Sequence, residues 1–195
     1  AARSPTPVPC DPALTIQEER ELGEKIFQEV KKRWSLVQEL SVNEYISGIG
    51  RRILQPLGPQ PFDYQFYIIN SPEINAFAVP GGKVFLNSGL IPLVENEDEI
   101  AGVLSHEIAH VVARHIAKRG EKAMKVSLAA LGAILAGIFL GGQAAGAIAT
   151  TTMAASETAL LKYSRDYEEE ADYLGLKFMN KAGYARWGMV TMLKK

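Results

Sequence analysis

Apolar residues recur at every third or fourth position in two segments near the start of the chain, which is the spacing of an amphipathic helix. The apolar positions are Leu22, Ile26 and Val30 in the first segment and Tyr45, Ile46, Ile49 and Ile53 in the second. Each segment opens with a hydroxyl residue that has a glutamate three positions later, the pairs being Thr15 with Glu18 and Ser41 with Glu44. Such a pair is typical of a capping box. The pattern predicts helices over residues 15–34 and 41–54.

The residues after the second helix predict a small sheet. Prolines and a glycine mark a loop at 56–61, and residues 64–70 are rich in aromatic and β-branched side chains. Two further short runs, 75–79 and 83–87, flank Pro80-Gly81-Gly82, whose residue types suit a hairpin turn. The sequence therefore predicts three strands, the last two of which form a hairpin.

Helical patterns return in the second half of the chain. The segment 96–119 has acids in its first turn and basic residues followed by Gly120 at its end, as the helix dipole and a glycine cap favour. Residues 157–181 predict another helix and 187–193 the start of one more, so the sequence stops just inside a helix and leaves room for further protein. The predicted fold class is α+β and mainly helical, with an irregular arm over 1–14 and a single domain over 15–195.

The composition is that of an ordinary globular domain and narrows the function only by exclusion. Of the 195 residues, 47% are hydrophobic and 22% are charged, and the length suits one domain. The formal net charge of -1 gives no reason to expect a nucleic acid as a partner. Cys10 is the only cysteine, which excludes an intrachain disulfide. The chain begins with Ala1 rather than Met, and we expect it to be a processed product.

The helix predicted over 96–119 contains His106-Glu107-Ile108-Ala109-His110. Side chains four positions apart lie about 40° apart around a helix, so the two histidines share one face, with Glu107 near it. Two neutral imidazoles one turn apart can bind a single zinc ion, and the adjacent carboxylate can reach the water of such a site. Only three histidines occur in the chain, which argues against a chance pairing. We predict His106 and His110 as zinc ligands and Glu107 as the general base.

A catalytic zinc site needs a third protein ligand and one open position. The remaining histidine, His115, lies on the opposite side of a continuous helix, so we expect it to be a surface residue or to have partners of its own. A carboxylate is expected instead, and spacing leaves Glu168, Glu169 and Glu170 as alternatives. Glu168 with Asp172, four positions later, suits a ligand and a group that accepts a hydrogen bond from the first histidine of the pair.

Residues 126–156 carry no charge and consist largely of Ala, Gly, Leu and Ile. Their number qualifies as a membrane span, since a helix crosses a bilayer with about 20 apolar residues. A single crossing would separate His110 from any ligand at 168–170, and two crossings need about 40 residues and a turn. We therefore expect buried or partly mobile helices over the site, with peripheral membrane contact through 126–156 as an alternative.

Three blocks of sequence, in this order, resemble those of the HtpX-like and CAAX-prenyl-protease-like zinc metallopeptidases, family forty-eight of the metallopeptidases. The blocks are Asn75-Ala76-Phe77-Ala78-Val79-Pro80-Gly81-Gly82, the helix from Glu99 through His115, and Ser164-Arg165 with Glu168, Ala171 and Asp172. The resemblance covers most of residues 65–193 and is closest to the branch of the family that is soluble and resides in the cell envelope.

The resemblance implies a zincin-like domain of the glutamate-ligand type that binds one Zn²⁺ ion. By this resemblance the third ligand is Glu168 rather than either of its neighbours. The first block looks like the family's edge strand, which lines the active-site cleft and binds a substrate as an extended strand. The residues expected to contact substrate are Asn75, Ala76, Phe77, Ala78 and Arg165.

The function expected from these features is that of a zinc-dependent endopeptidase in which Glu107 activates water. Arg165, Tyr163 and Tyr167 are the candidates for a further donor to the oxyanion. The family suggests protein quality control at a bacterial membrane or envelope, hence a periplasmic or envelope location, with membrane association as an alternative. A second hypothesis is a chaperone-like or scaffold protein with a peptide groove and a non-catalytic zinc site, which would have no need of Glu107.

Overall fold

The computed structural model describes residues 14–118, 165–192 and 194–195. The described helices are α1 (Ile16–Arg33), α2 (Leu40–Leu54), α3 (Glu97–Val112), α4 (His115–Lys118), α5 (Arg165–Ala182) and α6 (Trp187–Met192). The strands are β1 (Gln65–Ile69), β2 (Ala76–Val79) and β3 (Lys83–Asn87), and short 3₁₀ helices occupy Gln55–Leu57 and Ser88–Leu93. The predicted arm, except for the buried Leu14, and the uncharged stretch 126–156 lie outside the described residues.

The start of α1 is capped as predicted, but the start of α2 is not. The Thr15 hydroxyl accepts a hydrogen bond from the N–H of Glu18 at 3.2 Å, and the Glu18 carboxylate accepts one from the N–H of Thr15 at 2.8 Å. The capping box predicted for Ser41 and Glu44 is wrong, because α2 begins one residue earlier, at Leu40. Ser41 therefore lies inside the helix, and its hydroxyl donates to the Glu39 carboxylate at 2.9 Å.

The three strands form a mixed sheet in the order β1-β3-β2, with β3 parallel to β1 and antiparallel to β2. The hairpin between β2 and β3 turns at Gly81 and Gly82, whose φ angles of 81° and 90° lie in the left-handed region that glycine adopts without strain. The prediction of a mainly helical α+β fold with a small mixed sheet is confirmed. β2 is an edge strand of this sheet and packs against α3.

Apolar side chains hold helices against both faces of the sheet. Alternate residues of a strand point to opposite faces of a sheet. In β3, Phe85 therefore packs in the apolar cluster on one face, while Val84 and Leu86 pack in the cluster on the other face. Ile26 and Val30 of α1 pack on the Phe85 side, whereas α2 and α3 cover the opposite side. Each fully buried side chain of this kind contributes roughly 1.5–3 kcal/mol. The two layers fix α3 against the sheet.

α3 packs against α2, α5, α6 and β2. Two glycines permit close approaches of α3 to α6 and α5. A Cβ atom at Gly102 of α3 would lie 2.6 Å from the Cα atom of Met189 in α6. A Cβ atom at Gly175 of α5 would lie 3.2 Å from the backbone nitrogen of His106 in α3. Glycine at these positions lets the backbones meet, so α5 passes directly beside His106.

α3 ends earlier than the sequence predicts. The single helix expected over 96–119 is wrong, because α3 ends at Val112 and Arg114 adopts a φ of 55° before α4 begins. The Arg114 guanidinium donates to the buried Glu19 carboxylate and to the carbonyl oxygen of Leu14. These tertiary contacts compensate the left-handed conformation, which costs about 1–2 kcal/mol for a residue other than glycine.

The boundaries of the last two helices agree with the predictions over the residues that the structure describes. α5 begins at Arg165 and ends at Ala182, and the first part of the helix predicted over 157–181 lies outside the described residues. α6 covers Trp187–Met192, so the start of a final helix is confirmed. Both helices contact α3, and Glu168 in the first turn of α5 approaches His106 and His110.

Candidate metal centre

Three side chains from two helices converge on one point. The Nε2 atoms of His106 and His110 on α3 lie 3.0 Å apart. One carboxylate oxygen of Glu168 on α5 lies 3.4 Å from Nε2 of His106, and the other lies 3.8 Å from Nε2 of His110. One nitrogen from each ring and one oxygen of the carboxylate all lie within 4.8 Å of one another. Glu168 is thus the carboxylate that meets the histidine pair.

The spacing of these three donors fits a zinc ion. Ligands at 2.0–2.2 Å from a tetrahedral zinc ion lie about 3.3–3.6 Å from one another. The two Nε2 atoms lie 3.0 Å apart, and each is 3.4 or 3.8 Å from the nearer of the two Glu168 oxygens, so the observed separations span that range. Two imidazoles and one carboxylate are also a donor set found in catalytic zinc sites, which keep a fourth position for water or substrate.

The ring of His106 is held from its other side by Asp172. Its Nδ1 atom lies 2.9 Å from a carboxylate oxygen of Asp172, one turn after Glu168 on α5. The sequence predicted this contact. Burial lowers the pKa of His106, but the surrounding carboxylates, Glu168 first among them, outweigh burial and raise it to about 9. A cation that binds Nε2 must displace a proton held by this negative environment.

His115 lies beside the site, which the sequence did not predict. Because Arg114 interrupts the helix, His115 turns back toward α3 instead of lying on its opposite side. Its Nδ1 atom is 2.9 Å from Nδ1 of His110, and its Nε2 atom is 3.1 Å from a carboxylate oxygen of Glu170. Burial lowers the pKa of His115. The expectation that His115 lies on the opposite side of α3 is wrong, whereas the expectation that it has its own partners is confirmed.

Glu107 lies between the histidine pair and the edge strand β2. Its side chain is buried, and the backbone N–H of Ala78 is close enough to its carboxylate to lower the pKa of that group. Burial raises the pKa of Glu107 to about 7; the Glu168 carboxylate adds to the rise, while His106 and the Ala78 N–H oppose it. A carboxyl group with such a pKa can both accept and release a proton near neutral pH.

A cavity of about 260 Å³ opens beside Glu107. His106 and Glu107 lie on one wall, and the backbone of β2 begins at another. The rest of the lining is mostly apolar and includes Ile74, Ala76, Leu90, Val103, Met189 and Met192. The close approach of α6 to α3 at Gly102 brings the two methionines into this wall.

The remaining predicted site residues are distributed around the centre. Ala76, Phe77 and Ala78 lie in β2, with Asn75 directly before it. Arg165 is the exposed first residue of α5, and Tyr167 stacks on the ring of His115 with centroids 4.5 Å apart. Tyr163 lies outside the described residues.

A protein-family model matches most of the chain and not only the residues of the site. The model of Peptidase family M48 matches residues 40–194. The chain belongs to this family. Peptidases of family M48 use zinc, which confirms the predicted cofactor. The resemblance read from the three sequence blocks is likewise confirmed.

Relatives of this M48 chain occur in bacteria and in eukaryotes. It is 31% identical to the beta-barrel assembly-enhancing protease of Escherichia coli over 186 residues. The aligned residues cover 93% of this chain and 38% of that protein. It is 33% identical to the mitochondrial metalloendopeptidase OMA1 of Schizosaccharomyces pombe over 172 residues. The aligned residues cover 87% of this chain and 49% of that protein. The chain thus spans less than half the length of these relatives.

None of the helices within residues 14–118 and 165–192 combines the length and the apolar character that crossing a bilayer requires. The uncharged stretch 126–156, whose length is sufficient for a membrane span, lies outside these ranges.

We expect Glu168→Ala to weaken zinc binding by about tenfold or more, because it removes one of the three converging donors. Glu169→Ala is the matched control, since Glu169 is the exposed neighbour on the same turn. Competition with a chromophoric chelator measures the dissociation constant of each variant. Equal constants for the two variants would reject Glu168 as a ligand.

Proposed function

We propose that this chain is a zinc-dependent endopeptidase, with His106, His110 and Glu168 as the metal ligands and Glu107 as the general base. The observation that carries the proposal is the convergence of three donors at 3.0–3.8 Å with a buried carboxyl group beside them. A site that only stabilises the fold uses four protein ligands and has no use for a buried base. Family membership supports the same reaction class.

The chemistry of the proposed reaction depends on one acid–base group of the chain. A zinc ion in this site supplies a Lewis acid that makes water a nucleophile near neutral pH. Glu107 accepts the proton that the attacking water loses, and then gives this proton to the amine that leaves the cleaved peptide bond. The N–H of Ala78 orients the Glu107 carboxylate, and Asp172 holds the His106 ring by its outer nitrogen.

The edge strand β2 supports the proposal that the substrate binds as an extended strand. The N–H of Asn87 donates to the carbonyl oxygen of Asn75 at 2.9 Å, which sets the alternation of the antiparallel pair. By that alternation, Ala76 and Ala78 direct their backbone groups away from β3, toward the edge that faces Glu107. No described strand pairs with this edge. A peptide added there would run directly past the proposed base.

The apolar cavity beside Glu107 supports the proposal of a hydrophobic side chain next to the scissile bond. The cavity volume of about 260 Å³ is larger than a leucine or phenylalanine side chain. Its wall contains the first residue of β2, so a peptide lying along this strand would pass its mouth. Burial of a large apolar side chain there would contribute about 1.5–3 kcal/mol to binding.

We further propose that the protein acts in quality control of envelope or membrane proteins, in the periplasm or at a membrane surface. The names of the relatives support this role, because one enhances beta-barrel assembly and the other acts in mitochondria. Fractionation of cells that express the full-length gene product measures the location. Recovery of all the protein in the cytosol would contradict the proposal.

We expect Glu107→Gln to abolish cleavage of an unfolded protein such as casein while zinc content and thermal stability stay at the wild-type level. The amide keeps the size of the side chain but cannot accept the proton of water. Proteolysis is followed by gel electrophoresis and zinc by elemental analysis. Cleavage by the variant at the wild-type rate would exclude Glu107 as the base, and an inactive wild-type protein with bound zinc would favour the scaffold hypothesis.

We expect peptides with leucine or phenylalanine beside the cleaved bond to be cut about tenfold to a hundredfold faster, in kcat/KM, than the same peptide with glycine. Val103→Phe fills the cavity, so it should remove this preference while the glycine peptide is cut as before and zinc content is unchanged. A flat profile for the wild-type protein, or an unaltered profile for the variant, would show that the cavity does not bind the substrate side chain.

A further inference from the structure

A row of hydrogen-bonding groups leads from the metal-facing ring of His110 to the surface of α5. Nε2 of His110 faces His106 and Glu168, and its Nδ1 atom lies 2.9 Å from Nδ1 of His115. Nε2 of His115 in turn lies 3.1 Å from a carboxylate oxygen of Glu170. The row therefore begins at a proposed zinc ligand and ends at a carboxylate on the neighbouring helix.

Among the described groups, one arrangement of protons lets His110, His115 and the Glu170 carboxylate bond to one another while both rings are neutral. A carboxylate accepts, so Nε2 of His115 donates to Glu170, which leaves Nδ1 of His115 as an acceptor. Nδ1 of His110 must then carry a proton and donate to it, which leaves Nε2 of His110 with a lone pair. A lone pair on Nε2 is what a metal ion at the centre requires of His110.

The surroundings fix His115 in the position that this arrangement needs. The left-handed residue Arg114, held by Glu19, turns the chain so that His115 faces back toward α3. His115 is fully buried, and the ring of Tyr167 stacks on it with an interplanar angle of 12°. A ring held by stacking, by burial and by hydrogen bonds at both nitrogens has little freedom to change its orientation.

We propose that His115 and Glu170 are positioning residues that hold His110 in its metal-binding tautomer. The proposal rests on the role of His110 as a ligand. The Nδ1 atoms of His106 and His110 would then both be held by hydrogen bonds that orient the ring, but through different partners. His106 meets the carboxylate of Asp172 directly at 2.9 Å, whereas His110 reaches Glu170 only through the ring of His115. Groups that orient a ligand in this way typically change metal affinity by 10–100-fold.

Zinc affinity tests the proposal through the full-length chain with each residue changed in turn. We expect His115→Phe to weaken zinc binding by about tenfold or more, because it keeps an aromatic ring against Tyr167 but removes the acceptor for His110. We expect His115→Asn to restore part of the loss, since its side-chain oxygen can occupy the place of Nδ1. Glu170→Gln should weaken binding measurably, whereas Glu169→Gln, one position earlier, should not.

The hydrogen bond itself can be observed without any assay of activity. With only three histidines in the chain, the ring signals of a protein labelled with ¹⁵N-histidine are few enough to assign. We expect zinc-loaded wild-type protein to show a proton on Nδ1 of His110 and a scalar coupling across the N–H···N hydrogen bond to Nδ1 of His115. A proton on Nδ1 of His115 instead, or no coupling, would overturn the proposal.

The outcomes separate this proposal from the one on which it rests. If His110→Ala loses zinc while folded His115→Phe and Glu170→Gln bind zinc as the wild type does, the positioning role is refuted and the ligand role stands. If His110→Ala keeps full zinc affinity, the ligand role itself is refuted. Should His115→Phe fail to fold, the Glu170→Gln affinity and the coupling in wild-type protein decide, since neither changes a buried side chain.

Discussion

The close approach of α5 to α3 at Gly175 is the contact on which the metal centre depends. A Cβ atom at this position would lie 3.2 Å from the backbone nitrogen of His106, which is tighter than an ordinary contact, so glycine favours this close approach of the two helices. Asp172 and Glu168 lie about one and two turns earlier on the same face of α5. Asp172 therefore reaches the outer nitrogen of His106, and Glu168 reaches the space between the two imidazoles. Packing of two backbones thus brings together ligands that are about sixty residues apart in sequence.

Charge around the centre explains why a cation belongs there. The carboxylates of Glu107, which is buried, and of Glu168 and Asp172, which are partly exposed, surround two imidazoles, and charges of one sign repel each other unless they are compensated. The surrounding carboxylates raise the pKa of His106 to about 9, and burial together with the Glu168 charge raises the pKa of Glu107 to about 7, so both shifts favour the protonated forms. A divalent cation replaces these protons with a fixed positive charge, so metal binding and proton release are coupled.

Local patterns of sequence predicted the elements and the residues that lie one turn apart. The helical spacing of His106 and His110 and the turn at Gly81 and Gly82 required only local geometry, and both are present in the structure. The end of α3 was not predictable in the same way, because no glycine or proline directly follows Val112, and the first glycine after it is Gly120. The helix ends there because Arg114 meets Glu19, a contact between residues 95 positions apart. The place of His115 followed from that contact and was therefore missed.

The choice among the three adjacent glutamates shows the same limit of local reasoning. Spacing left Glu168, Glu169 and Glu170 open, since all three lie near the start of one helix. In the structure the packing angle of α5 sends Glu168 to the imidazole pair and Glu170 to His115, while Glu169 is exposed. Only the relative placement of two helices decides which of these faces meets the metal, and no helical period contains that information.

The surroundings of the proposed base, Glu107, also depend on contacts between distant segments, through the register of the β2–β3 hairpin. The N–H of Ala78 is available to Glu107 because the alternation of the antiparallel pair directs this group away from β3. A slip of one residue would direct it into the ladder and offer Phe77 instead. The turn that sets the register packs against α1, where a Cβ atom at Gly23 would overlap the carbonyl oxygen of Pro80 at 1.8 Å. α1 also supplies Glu19, which holds Arg114 at the end of α3. The helix α1 thus constrains the strand β2, which lies beside the base. It also constrains the interruption of the helix at Arg114, which brings His115 to His110, although none of the metal-binding residues lies in α1.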